Sequence, residues 1–407
     1  MRKIFLVSLF LLCLPFCISA QHFSRPALLF PYVLSAPEIN ARAAVVIDIE
    51  TGALLFSKNP DLEIPPASLT KLMTMHLVMK EIDAGRASYG EIIPITVESW
   101  ARSQPPRSSL MFLAPGQIVT LREIMLGLAI SSGNDAAVAA ALRFAPTMQD
   151  FASLMTIESR RMGLSVTRFV ESSDISEYNY TTAAEFAHFC RQYIALYPHS
   201  LQEFHSVPDF AYPLAHNVAP AFRHAPGTIP QSNRNNLLRT FPGVDGLKTG
   251  FINESGYNIA LTAERGQTRF IAVILGAGST RERDTDGTRL LTWAFDNFRT
   301  VRPVIGNLEK IRLWKGRANE AEIVLSQSAS FTSPSDRAAK LIYEVSIPVP
   351  VRAPLPAGAA VGHLIISDEN GELHRVPVLT ANAYERGNIF KRMWHSIVLF
   401  FQGLKKT

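Results

Sequence analysis

Apolar and polar positions follow two different periods along this chain. Ala43 to Ile49 and Ala53 to Ser57 are apolar runs set around Glu50-Thr51-Gly52, which predicts a β-hairpin. After the proline-rich approach Pro60 to Pro66, positions Leu72, Met73, Met75, His76 and Met79 take helical spacing, predicting a helix from about Ala67 that ends over Gly85 to Gly90. Ile92 to Val97 predicts a short strand, and Ser103 to Ser109, with Pro105-Pro106, a polar loop. Leu121, Ile124, Met125, Leu128 and Ala129 predict a second helix, opened by Thr120 and Glu123 at capping-box spacing and closed at Ser131-Ser132-Gly133-Asn134. An alanine-rich helix follows over Asp135 to Phe144, so Ser132 and Asn134 are expected on a tight interhelical loop, presented rather than buried. Further helices fit Met148 to Met162 and Thr182 to Tyr197.

Val244 to Thr249, Tyr257 to Ala263 and Arg269 to Leu275 then read as three successive strands, and a helix over Arg281 to Phe298 can cover one face of their sheet. Beyond Pro303 the texture changes to short β-type runs, Ala321 to Leu325, Leu341 to Ile347 and Ala360 to Ile366, separated by Pro, Gly and Ser turns. The pattern predicts an α+β domain over 38–300 and an all-β domain over 301–384. Over 388–406, Phe390, Met393, Trp394, Ile397, Phe401 and Leu404 recur at three- and four-residue intervals opposite Lys391, Arg392 and His395, an amphipathic helix. Its apolar core is far shorter than the ~20 residues that span a bilayer, which suits a helix lying in the membrane interface. Glu385-Arg386-Gly387-Asn388 reads as a flexible joint before it.

Composition narrows the compartment. Met1-Arg2-Lys3, the apolar run Ile4 to Phe16 and small residues at Ser19 and Ala20 predict a secretory signal peptide over 1–20. Its removal takes Cys13 and Cys17, leaves Cys190 with no intrachain partner, and lowers the formal charge from +5 to +3 by loss of Arg2 and Lys3. Cys190, among Phe186, Phe189 and Tyr193, reads as a small buried hydrophobe. Basic residues are scattered until the extreme C-terminus, which argues against a nucleic-acid partner. His205, His216 and His224 lack metal-site spacing and read as surface histidines, so no metal and no cofactor is expected.

Three short motifs carry chemistry. Ser68 and Lys71 lie one helical turn apart, which brings a hydroxyl close to an amine. A serine needs a base to become a nucleophile, and a lysine serves as one only when neutral, a state that burial and neighbouring cations favour. Ser132-Gly133-Asn134 follows on the interhelical loop, and Lys248-Thr249-Gly250 ends a strand, where the glycine lets a substrate backbone approach closely. This ordered trio is found in penicillin-binding proteins and class A β-lactamases.

With Pro66-Ala67-Ser68-Leu69-Thr70-Lys71, Ser131-Ser132-Gly133-Asn134-Asp135-Ala136, Asn233-Arg234-Asn235-Asn236-Leu237-Leu238 and Val244-Asp245-Gly246-Leu247-Lys248-Thr249-Gly250, the chain resembles the low-molecular-mass penicillin-binding proteins, the D-alanyl-D-alanine carboxypeptidases of bacterial cell walls. The resemblance runs from about Ala43 to the C-terminus. Phe251-Ile252 and the stretch Thr167 to Asp174 depart from the family's usual pattern. The resemblance implies a transpeptidase domain of the penicillin-binding-protein/β-lactamase type, a helical cluster plus an antiparallel sheet, followed by the small all-β domain and the amphipathic helix. The chemistry implied is acyl transfer on peptidoglycan stem peptides, with β-lactams as acylating inhibitors. Ser68 would attack the carbonyl between two terminal D-alanines, Lys71 act as general base, Ser132 relay a proton and Asn134 hold the substrate amide. Lys248 would add positive charge, and backbone N–H groups of Ser68 and Phe251 would form the oxyanion hole. The resemblance also implies that Thr249 and an arginine after the last strand bind the terminal carboxylate; ungapped alignment from Lys248 puts that arginine at Arg283. The protein is then expected in the periplasm, held at the cytoplasmic membrane by its last helix. Two other readings stand beside this one. A class A-like β-lactamase needs a glutamate-activated water, for which Glu171 is the one acidic residue near the right place, and a non-catalytic peptidoglycan-binding scaffold would work through the β domain.

Overall fold

The computed structural model describes residues 36–173, 176–218, 227–303, 308–326, 330–339 and 341–404. The expected leader, Asp174, His224, Lys405 and Lys406 lie outside them.

In chain order the first domain comprises β1 (Ala43–Asp48), β2 (Leu54–Lys58), α1 (Thr70–Asp83), α2 (Leu121–Leu126), α3 (Asn134–Phe144), α4 (Met148–Arg161), α5 (Ala183–Leu196), β3 (Asp209–Tyr212), β4 (Ile229–Ser232), α6 (Leu237–Thr240), β5 (Val244–Ile252), β6 (Gly256–Arg265), β7 (Thr268–Ala277) and α7 (Thr280–Asn297). Five strands form one antiparallel sheet in the order β2-β1-β7-β6-β5, so β5 is an edge. Side-chain alternation explains why the central strands are apolar throughout. Val45 and Ile47 of β1 with Ile271, Val273 and Leu275 of β7 join the core under the helical cluster. Ala44 and Val46 with Phe270, Ala272 and Ile274 face the other way, onto Leu290, Leu291, Ala294 and Phe295 of α7. Both faces are therefore covered. Gly287 permits the close approach of α7, because a Cβ there would lie 2.8 Å from Leu261 Cδ1.

The expected strand over Ile92 to Val97 is absent. Ile92 makes a single bridge to Thr120, and Pro94, which has no N–H, cannot extend the ladder. The capping box at Thr120 and Glu123 is present, and α2 runs on into a π-helical turn over Gly127–Ser131.

The second domain follows from β8 (Phe298–Val301), through β9 (Ile311–Arg312), β10 (Glu320–Ala321), β11 (Ile323–Leu325), β12 (Phe331–Pro334), β13 (Ile342–Ser346), β14 (Ala360–Asp368) and β15 (Gly371–Thr380). Its main sheet has the order β11-β15-β14-β13 over a core that includes Ile323, Phe331, Leu364, Ile366, Val376 and Val378. The domains are joined where β12 pairs with β8 and where the buried Asp48 carboxylate accepts from Thr300 Oγ1 at 2.7 Å and Thr332 Oγ1 at 2.9 Å.

The chain ends in α8 (Ile389–Leu404). The segment expected as a flexible joint is pinned instead: Arg386 bridges to Gly316, Arg317 N–H donates to the Glu385 carbonyl and Gly387 N–H to the Lys315 carbonyl. Backbone pairing of 385–387 outweighed the loop-forming tendency of their side chains.

Candidate active site

The site begins with the approach to α1. Pro66, its φ held at −68 by the ring, has ψ −16 and already sits in the helical region, and its carbonyl accepts from Leu69 N–H at 3.2 Å, closing a 3₁₀ turn over Ala67–Leu69. Asn258 of β6 fixes this approach from the sheet, its Nδ2 donating to the carbonyls of Pro65 at 3.0 Å and Pro66 at 3.2 Å. Ala67 has φ +51, the left-handed region that disfavours side-chain-bearing residues, a local strain of order 1–3 kcal/mol beside Ser68. Gly250 packs against the same turn; a Cβ there would lie 2.9 Å from Ser68 N and 2.8 Å from the Pro66 carbonyl oxygen. The glycine of the third motif is thus needed for contact between β5 and the serine itself.

The three motifs converge. Lys71 Nζ lies 3.2 Å from Ser68 Oγ, 2.8 Å from Asn134 Oδ1 and in contact with the Ser173 carbonyl oxygen. Ser132 Oγ donates to Ser68 Oγ at 2.8 Å, and Lys248 Nζ donates to Ser132 Oγ at 2.9 Å and to the Thr249 carbonyl at 3.0 Å. Ser132 reaches Ser68 because it sits at φ +58, ψ +34, where the π-helical turn breaks off. Lys71 is fully buried, and Ser132 and Asn134 are each 2% exposed, so the expectation of a presented loop is wrong: both face the interior of a cleft.

That cleft, about 550 Å³, has two walls. Ser132, Asn134 and the loop Pro105 to Ser109 form one; Thr249, Gly250, Phe251, Ile252, Tyr257, Arg234, Asn236, Thr280 and Arg283 form the other. Arg283 is 4% exposed and donates from Nε and Nη2 to Asp284 Oδ1 at 2.9 and 2.7 Å. Phe251 is half-exposed against the Tyr257 ring, with centroids 4.3 Å apart.

Several further residues support the site, in roles that the sequence pattern does not assign to them. Asp135 is buried and accepts from the N–H groups of Met111, Phe112 and Leu113 at 2.8–2.9 Å, tying the loop wall to α3; burial pushes its carboxyl up against the pull of those bonds. Asn235 Nδ2 donates to the Gly246 carbonyl at 3.2 Å, bracing β5. His205, expected at the surface, is fully buried between α5 and β5. Its Nδ1 lies 3.2 Å from the Leu247 carbonyl oxygen, which only an N–H can satisfy, so Nε2 accepts from Tyr193 O–H at 2.8 Å. Burial pushes this imidazole down to about 3, helped by Lys248. His216, by contrast, is exposed and lies 2.9 Å from Glu123 Oε1. Asp135 and Asn235 lie inside quoted motifs, but nothing in the motifs tells a backbone-bracing residue from a substrate-facing one.

Glu171, the candidate for a lactamase base, turns its carboxylate onto its own loop, accepting from Ser173 N–H and Oγ and from Asn179 Nδ2 at 2.9 Å. Cys190 is buried as expected, and burial raises its thiol pKa. Among the described residues no group of three or more His, Cys, Asp or Glu could hold a metal ion.

Comparison with known proteins agrees with this geometry. The family profile "D-alanyl-D-alanine carboxypeptidase" matches residues 32–279, and the profile "Penicillin-binding protein 5, C-terminal domain" matches residues 303–386. D-alanyl-D-alanine carboxypeptidase DacC of Escherichia coli (strain K12) is 30% identical, covering 93% of each chain. Among solved structures, penicillin binding protein 5 from Haemophilus influenzae has a TM-score of 0.76 at 26% identity, covering 87% of this chain and 100% of that one. Penicillin-binding protein D2 from Listeria monocytogenes, in its cefotaxime-bound form, has a TM-score of 0.56 at 28% identity, covering 64% and 100%.

Proposed function

The chain belongs to the D-alanyl-D-alanine carboxypeptidase family, the penicillin-binding serine peptidases of peptidoglycan, and we propose that it removes the terminal D-alanine of stem pentapeptides through an acyl-enzyme on Ser68. The observation that carries the assignment is the hydrogen-bonded set Lys71, Ser68, Ser132, Lys248, drawn from three separate motifs.

Asn134 Oδ1 and the Ser173 carbonyl can only accept, so a neutral Lys71 amine gives them its two N–H bonds and turns its lone pair to Ser68. Burial and the nearby Lys248 ammonium both favour that neutral form. Lys71 then takes the Ser68 proton as Oγ attacks the carbonyl between the two D-alanines. The oxyanion falls to the N–H of Ser68 and to the N–H of Phe251 on the free edge of β5. Ser132, bonded to both Ser68 and Lys248, relays that proton from Lys71 to the departing D-alanine nitrogen, which restores the neutral amine, and water then hydrolyses the ester. Asn134 holds the substrate amide on the acyl side. Thr249, Arg283 and Arg234, which share one wall, hold the terminal carboxylate. A β-lactam enters the same reaction because its strained amide presents the same carbonyl and carboxylate.

This reading divides the chain into a leader over 1–20, a catalytic unit over 38–300, a β domain over 301–384 and a membrane-surface helix over 388–406. In this reading the enzyme works in the periplasm at the cytoplasmic membrane. Ser68→Ala is the direct test: it should abolish both labelling by a fluorescent penicillin and release of D-alanine from a pentapeptide, with the circular dichroism of the folded protein retained. Labelling that survives the substitution would displace Ser68 as nucleophile.

A further inference from the structure

We propose that Arg107 forms a cationic subsite that reads a carboxylate on the acyl side of the substrate, on the side chain of the residue preceding the two D-alanines. This rests on the carboxypeptidase reading of the site and adds a specificity to it.

The cleft lining holds three arginines, Arg107, Arg234 and Arg283, and no aspartate or glutamate. Arg234 and Arg283 share the sheet wall with Thr249, where the terminal carboxylate belongs. Arg107 is on the other wall, two residues from Ser109, whose carbonyl accepts from Asn134 N–H at 2.8 Å. A peptide with its terminal carboxylate on the sheet wall and its acyl-side amide at Asn134 therefore carries its preceding residue toward the Arg107 turn.

That turn is built rather than loose. Pro105 and Pro106 stiffen its entry, Ser108 N–H donates to the Pro105 carbonyl at 3.2 Å, and Asp135 holds the backbone at Met111 to Leu113. Arg107 itself has φ +68, in the left-handed region that glycine occupies without penalty. A long cation kept at such a position is the kind of outlier from which function is inferred. Its side chain is exposed at the rim, and whereas the exposed Arg122 and Arg143 pair with Glu203 and Glu91, no carboxylate among the described residues pairs with Arg107. An arginine fork in a cleft free of acids suits a carboxylate oxygen pair.

The test compares two acetylated tripeptides ending in D-alanyl-D-alanine. In one the first residue is 2,6-diaminopimelate with a free side-chain carboxylate; in the other that carboxylate is amidated. At low ionic strength the protein is expected to favour the acid over the amide about fivefold in kcat/KM, the size that an exposed ion pair gives. Arg107→Gln should bring the ratio near one, Arg107→Glu should invert it, and added salt should shrink the native preference. Penicillin labelling of each variant reports an assembled site. An acid-to-amide ratio that is the same in the native protein and both variants overturns the subsite while D-alanine release leaves the carboxypeptidase reading standing. Failure of the native protein to release D-alanine from either peptide takes down that reading and the subsite with it.

Discussion

Lys71 sits among a hydroxyl, a side-chain carbonyl and a backbone carbonyl, and only the hydroxyl can give it a proton. Lys71→Arg keeps a basic side chain of similar reach, but a guanidinium stays protonated and cannot act as base. Acylation by penicillin is expected to slow by about 10²–10⁴-fold, the usual range for general-base catalysis, measured as the pseudo-first-order labelling rate. A variant acylating at near the native rate would hand the role to another group. At the opposite end of the cleft, Arg283 is held in plane by Asp284, which in turn accepts from Asn236 at 2.8 Å. Arg283→Ala should therefore lower kcat/KM for peptides with a free terminal carboxylate far more than for their C-terminal amides. Equal losses on both would shift carboxylate recognition to Arg234 and Thr249.

At the scale of elements, one carboxylate ties α1 to α4. Glu158 of α4 meets His76 Nε2 at 2.8 Å and Lys80 Nζ at 2.6 Å from α1, and Arg161 from its own helix. Burial pushes this carboxyl up, but the hydrogen bonds from Arg161, His76 and Lys80 outweigh it and hold it well below the usual range. Its stabilisation is then complete above the unfolded value of 4.5 and drains away as the pH falls further below that value. Glu158→Gln is expected to cost about 2–3 kcal/mol at pH 7, read by urea denaturation, with the deficit narrowing below about pH 4. A deficit that stays constant down to pH 3 would show that shape, not charge, holds α1 to α4. None of this fastening was legible in advance, since residues 76, 80 and 158 share no local pattern. What was legible is local: the Ser68–Lys71 spacing, the Thr120–Glu123 cap and the strands β5 to β7 each announce themselves within about ten residues. Elements defined by distant pairing escaped. β3 and β4 are four residues each and meet only across a long connection. β15 contains Pro377, which argues against a central strand. It is tolerated because β11 stops at Leu325, opposite Val378, and Pro377 pairs with His363 just past an irregularity in β14. The catalytic residues were readable because motif order exposes them; Asn258 and Asp135, which position them, act through backbone contacts that only the fold creates.

At the scale of the whole molecule, α8 presents a choice between packing and membrane binding, and its orientation favours both at once. His395 Nδ1 accepts from Lys315 N–H at 2.8 Å and its ring meets Trp314 edge-on, while Lys391 Nζ donates to the Arg317 carbonyl at 2.8 Å. The polar side thus docks on the β domain. Ile389, Phe390, Met393, Trp394, Ile397, Phe400 and Phe401 are left 48–79% exposed, an apolar face with no protein against it among the described residues. No helix among the described residues is long and apolar enough to cross a membrane. If these seven side chains each gain about 1 kcal/mol by entering the lipid interface, the apolar attraction is about 7 kcal/mol, above the marginal hold of a single myristoyl chain. Exposed basic residues such as Arg392 add up to about 1 kcal/mol each near anionic lipid. Salt screens only that smaller share, so the full-length protein is expected to resist extraction by high salt and to yield to detergent. A chain ending at residue 386 should be soluble and retain D-alanine release, because the cleft and α8 share no residue. A truncated protein that still sediments with membranes, or a full-length one freed by salt alone, would exclude the apolar face of α8 as the anchor.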